Sequence, residues 1–254
     1  MGRKHLKCLK ECLVAQDTLL KERINTPSPT SSPIRHSYHS NGLLKFEPIV
    51  HLSTAQLIGY EVLTQLPSGS DSKAFFQQFS QQALHNHFFQ QIDTLPFFPQ
   101  NSRYLLKLPV KVLLNIDVLL LKVRSHSSNL TIEQQDSGAF YTLSTGQQFR
   151  LYEKIQQPET SGLPVWLDDI NEKMFATFSN ENWRLSGVKF DKKTFWNLVS
   201  DPQKMRQAIL IGYKIAADML MEGIETSEQR SIAFYAGATM GQGYLWPAIL
   251  PDIY

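Results

Sequence analysis

The chain has 254 residues, 42% of them hydrophobic and 19% charged, which suits one large domain with an extension. With 25 basic against 23 acidic residues the formal charge is +2, so nothing suggests the clustered basic face that nucleic acid requires. No run of about 18 apolar residues occurs, and lysines and a glutamate interrupt the opening MGRKHLKCLKECLVAQ, which argues against a membrane span and a signal peptide.

Along the chain, the first segment (1–24) spaces Leu6, Leu9, Leu13, Leu19 and Leu20 as one face of a short amphipathic helix. Such a helix either packs on the rest of the chain or serves as an arm for a partner or a second copy. Cys8 and Cys12, the chain's two cysteines, fit a reducing compartment, so a cytoplasmic protein is expected. Residues 25–42, NTPSPTSSPIRHSYHSNG, are rich in Pro, Ser and Thr and read as a linker that buries nothing. From residue 43 to 254 short apolar runs alternate with longer amphipathic stretches. The runs are LLKFEPIVHL, LIGYEVLTQL, RYLLKLP, NLTIEQ, LPVWLDD, SGVKFD, AADMLMEGIE and TMGQGYLWP. Helix-like stretches include SKAFFQQFSQQALHNHFFQQ, DPQKMRQAILIGYKIA and TSEQRSIAFYAG. This interleaving predicts a mainly parallel α/β fold, and a TIM-like (β/α)8 barrel over an open sheet. His85 and His87 stand two apart on a predicted helix, so their rings diverge and both read as surface residues. The four tryptophans, Trp166, Trp183, Trp196 and Trp246, read as packing residues, with Trp246 placed near the barrel mouth.

The choice of a barrel rests on how the runs end. In turn they offer Glu61, Lys107, Glu133, Asp168 with Asp169, Lys189 with Asp191, Glu222 with Glu225, and Gln242. Barrel enzymes gather chemistry at the carboxyl ends of their strands. Carboxylates that converge there repel unless a cation neutralises them. One or two divalent ions of the Mg²⁺ or Mn²⁺ type resolve the conflict, and with a nearby lysine they suit phosphodiester hydrolysis.

The ordered stretches FEPIVHLSTAQLIGYEVL, LTIEQQD, LPVWLDDI, GVKFD, MEGIETSEQ and GQGYLWP resemble EAL domains, the phosphodiesterases that linearise the bacterial messenger cyclic di-GMP. The resemblance runs from about Leu43 to Pro251. It implies metal ligation by Glu61, Glu133, Asp168 and Asp169, and catalytic roles for Lys189, Glu222 and Gln242. The departures from that pattern are specific. Lys107 stands where the family carries a metal-binding Asn, and Asn115 is the only nearby substitute. Gln65 replaces an Arg expected to hold a ligand phosphate. Ile170, Asn171, Glu172 and Lys173 replace a Phe-Gly-Thr-Gly loop, and Asp136 stands for the acidic residue that braces it. Two outcomes follow. One is a degenerate regulatory member that needs no metal and binds a protein partner or cyclic di-GMP. The other is an active Mg²⁺- or Mn²⁺-dependent hydrolase.

Overall fold

The structure is a computed structural model and describes residues 44–95, 101–115, 129–135, 137–156, 164–170, 174, 177–179 and 183–250. The expected amphipathic segment and linker, Cys8, Cys12, Asp136, and Asn171 to Lys173 lie outside the described residues. Eight strands close into a barrel in sequence order. β1 (Leu44–His51) and β2 (Leu57–Thr64) form a hairpin. After β2 come α1 (Ser72–Gln77) and α2 (Gln81–Thr94), then β3 (Arg103–Pro109), α3 (Val110–Leu113) and β4 (Leu130–Gln135). A 3₁₀ turn (Ser137–Thr142) and α4 (Thr145–Gln156) lead to β5 (Val165–Ile170) and β6 (Leu185–Phe190). The chain closes with α5 (Lys192–Leu198), α6 (Pro202–Gly212), β7 (Ala216–Met221), α7 (Ser227–Ala236) and β8 (Met240–Gly241).

The barrel is as expected, with one reversal. β1 is antiparallel to both β2 and β8, while the other neighbouring strands are parallel. The cause is local: only residues 52–56 separate β1 from β2, too few for a helical crossover, and a hairpin can only be antiparallel. The single helix read over 72–91 is two helices. Ser80 extends its backbone and caps α2 by accepting from the Ala83 N–H, which breaks the run at residue 80. Asp191, Asp201 and Thr226 cap α5, α6 and α7 in the same way, so each helix after β6 and β7 starts on a side chain that satisfies its orphan N–H groups.

Strand alternation divides the barrel into layers. Two residues before each polar strand end lies an inward residue, and Ile49, Leu105, Trp166, Leu220 and Met240 form a buried apolar plug there. Trp166 is the bulk of it. A side chain at Gly187 would meet its indole at 2.2 Å, so glycine on β6 makes the room that tryptophan on β5 fills. Outside the strands, Phe140, Phe178 and Trp183 pack edge to face or tilted at 4.8–5.5 Å between sheet and helices.

Candidate functional site

Above the plug the lumen turns polar within one layer. β1 and β2 place Glu47 opposite Glu61, and β3 and β4 place Lys107 opposite Glu133. β5, β6 and the segments following β7 and β8 add Asp168, Lys189, Glu222 and Gln242. Glu61, Glu133, Asp168, Lys189 and Gln242 are buried, and Lys189 is wholly inaccessible to water.

Two ammonium groups organise this layer. Lys107 Nζ lies 3.0 Å from Glu61 Oε1, 3.0 Å from Glu133 Oε1 and 2.7 Å from Asp168 Oδ2. The point on which three carboxylates converge is thus taken by a cation that the chain itself supplies. Lys189 Nζ donates to Glu61 Oε2 and to both Glu133 oxygens at 3.1 Å, and sits 2.6 Å from Glu222 Oε1. Gln242 donates from Nε2 to Glu61 Oε2 at 2.6 Å and to Glu47 Oε2 at 2.9 Å. Glu47 went unnoticed in the sequence, although its position opposite Glu61 on a two-strand hairpin was a usable signal.

Burial alone would push every carboxyl here upward and both lysines downward; the pairing decides otherwise. Against burial, Lys107 and Lys189 bring the Glu61 carboxyl down to about 2, and the same ammonium groups hold Asp168 well below the usual range. Glu133 goes the other way: burial and the flanking Asp168 and Glu61 carboxylates raise it well above the ordinary value. Burial, with Asp168 and Glu61 nearby, raises Glu222 to about 7 despite its contact with Lys189. The carboxylates outweigh desolvation at both lysines, whose affinity for their protons rises. Neither amine is therefore a base at neutral pH; each is a fixed cation.

The second half of the mouth is built differently. β5 slips register against β6 between Leu167 and Ile170, and Asp169 takes a left-handed backbone with φ of 52°. The bulge turns Asp169 to solvent while Asp168 and Ile170 stay buried. Asp168 Oδ1 accepts the Asp169 N–H at 3.0 Å. Asp168, Asp169 and Glu222 each offer an oxygen within 4.8 Å of the others, a spacing at which oxygen ligands can hold one divalent ion.

Other expected residues fall outside the cluster. Gln65 lines a groove beside the mouth. Asn115 is exposed past α3, where its amide donates to the Lys111 carbonyl, so it does not join the cluster. Asp191 caps α5, and Glu225 pairs with Lys192 at 3.0 Å. The histidines are partly covered rather than freely exposed. His87 is half-buried and bonded to Thr64 Oγ1 at 2.7 Å, and His85 packs on Phe89 with a buried Nδ1. α2 lies against the barrel, so even its outer flank is partly covered. Trp246 lines a recess of about 500 Å³ at the mouth with Glu222, Gln242 and Tyr244. Trp196 is not core: it is partly exposed, with Lys192 Nζ 4.0 Å above its ring.

A sequence model of the family described as the EAL domain matches residues 34–248. Among curated proteins, the chain is similar to the cyclic di-GMP phosphodiesterase TpdA of Vibrio parahaemolyticus, 25% identical over 223 residues. That match covers 80% of this chain but 36% of the relative, so the chain spans about a third of the relative's length. Among solved structures, an EAL domain protein from Listeria monocytogenes superposes with a TM-score of 0.62 at 18% identity, covering 87% of this chain and 96% of the other. BlrP1 of Klebsiella pneumoniae, solved with calcium and cyclic di-GMP, gives 0.64 at 14% identity, with coverages of 95% and 66%. At such identities the structural likeness is one of fold. Among the described residues no helix is long and apolar enough to cross a membrane.

Proposed function

The chain belongs to the EAL domain family, and from that premise we propose that it acts in bacterial cyclic di-GMP signalling as a regulatory member that does not hydrolyse the messenger. One observation carries this reading: the Lys107 ammonium stands within 3.0 Å of Glu61, Glu133 and Asp168. A divalent ion at that point would need the same three carboxylates and would meet a fixed positive charge. The lysine neutralises the carboxylates, as a metal would, but it cannot polarise a phosphodiester as a Lewis acid or lower the pKa of a bound water. Lys189, held protonated by Glu61, Glu133 and Glu222, has no free lone pair with which to activate water. What remains is a rigid, internally neutralised mouth suited to recognition of cyclic di-GMP or a protein partner. Gln65, in place of an arginine, weakens the grip on a phosphate, which favours the protein partner.

The test is a Mn²⁺ titration by calorimetry, with and without cyclic di-GMP, alongside an assay for the linear dinucleotide. Wild-type protein is expected to bind no metal at the Lys107 point and to release no product. Lys107→Asn is expected to gain metal affinity. Wild-type turnover that Glu61→Ala abolishes would overturn the proposal. The second reading, an active metal-dependent phosphodiesterase, draws on the Asp168, Asp169 and Glu222 trio, whose oxygens keep a ligand-like spacing.

A further inference from the structure

Beside the mouth, between the β1–β2 hairpin and the paired helices α1 and α2, runs an open groove of about 620 Å³. Its apolar wall is Leu66, Phe76, Leu84 and Phe88, stiffened by Phe75, Phe76 and Phe79, which pack ring to ring at 5.1–5.6 Å. The charged groups that line the groove are all engaged: Lys45 with Glu47, Lys107 with Glu61, and Glu222 with Lys189 behind it. Thr64 and His87 are hydrogen-bonded to each other at 2.7 Å. The groove therefore offers a ligand no free charge.

What it does offer is amide. Leu84, Phe88 and Gln91 stand at i, i+4 and i+7 on α2, one stripe facing the groove. Gln91 is only 6% exposed, yet among the described residues its side-chain amide makes no hydrogen bond. Buried amides are normally satisfied, so an unpaired one that lines an open groove marks a place for an incoming group. Gln65, just past β2, and Gln135, at the end of β4, line the same groove, and their amides too have no partner among the described residues. Three elements thus present neutral donors and acceptors beside one apolar wall.

A side-chain amide carries one acceptor oxygen and a donor NH₂, and the neutral group that matches both at once is another amide. An extended peptide presents one about every 3.3 Å and turns its side chains alternately to either side. A phosphate-bearing ligand such as cyclic di-GMP would meet neither a free lysine nor an arginine there. We propose that this groove binds an extended, uncharged segment of a partner protein. Gln65, Gln91 and Gln135 pair with its main-chain amides, and the wall of Leu66, Phe76, Leu84 and Phe88 takes an apolar side chain. The inference rests on the protein-partner form of the proposed function, and not on whether the mouth binds metal.

The probe is a pool of end-capped pentapeptides, Ser-X-Ser-X-Ser with X drawn from Val, Leu, Ile, Phe and Met, in equilibrium dialysis against the full-length protein. Wild type is expected to retain members of the pool, and Gln91→Leu to retain at least tenfold less. Gln207→Leu, which removes an exposed amide on α6, should leave retention unchanged. Pools N-methylated at the central serine, or carrying Asp or Lys at X, should also be retained at least tenfold less. Gln135→Leu repeats the test should Gln91→Leu fail to fold. No retention by wild type, equal retention by Gln91→Leu, equal retention of the N-methylated or charged pools, or displacement by cyclic di-GMP would overturn the proposal, the last by assigning the groove to the nucleotide. None of these outcomes bears on turnover, which the Mn²⁺ assay reads separately.

Discussion

The two halves of the barrel mouth share Asp168 and contact with the Lys189 ammonium, and differ in burial and backbone geometry. In the first, Glu61, Glu133 and Asp168 are buried and gathered around Lys107 and Lys189. In the second, Asp169 is turned outward by a bulge and Glu222 keeps its side chain 21% exposed. In the first half the cations are covalently attached side chains, which no chelator or change of salt removes. The second half keeps oxygen donors that still answer to solvent, protons and ions. The mouth is thus divided into a fixed part and a responsive part.

The sharpest way to break this comparison is to remove the innermost cation. Lys189→Met should cost about 3–5 kcal/mol, because it strands buried carboxylates that cannot be hydrated. Its urea midpoint should fall accordingly; a loss under 1 kcal/mol would mean that the cluster simply takes up protons. Lys107→Met should cost roughly half as much, since that side chain is 25% exposed and water can partly replace it. Added Mn²⁺ should raise its melting temperature back toward that of wild type, and by more than it shifts wild type itself. At Asp169 a change to Asn keeps the tolerance for left-handed backbone and should move stability by no more than about 0.5 kcal/mol. A larger effect would show that the second half is as fixed as the first.

The smallest expected effect lies at the edge of the contrast, on the groove wall. Burial lowers the pKa of His87 from its ordinary value near 6.5. The fold favours the neutral ring, so this contribution is full above about pH 6.5 and is lost as pH falls through the lower folded-state value. Denaturation midpoints at pH 7 and pH 5 should differ less in His87→Gln than in wild type.

Much of this was readable from the residues. All eight strands fell on the quoted apolar runs, and Glu61, Lys107, Glu133, Asp168, Lys189, Glu222 and Gln242 do share one layer, because alternation fixes which residues face inward, while Asp169, Asp191 and Glu225 lie outside it. The direction of β1 was written in the brevity of the 52–56 connection but needed the closed barrel to become visible. α4 and α5 were not among the stretches singled out, because one carries few apolar residues and the other is short, so their periodicity is weak; the caps at Ser80 and Asp191 were the better guides. At the site, Lys107 at a strand end was plain, yet its position within reach of three carboxylates depends on through-space register. His85 and His87 show the converse: their divergence was sound local geometry, but only tertiary packing decides what covers each ring.

The pairing of β1 with the carboxyl-terminal segment has a further consequence. Phe46 and Ile249 exchange backbone hydrogen bonds at 2.9 and 2.8 Å, so the chain enters and leaves the barrel side by side. Adjacent crossing points of this kind let a domain be inserted into a loop of a host protein, or be permuted by joining the two crossings and opening the chain elsewhere, at little cost to its core. A permutant that joins residues near 44 and 249 and opens at the exposed Gly69 turn should keep the barrel, and would free the mouth of every sequence normally attached there.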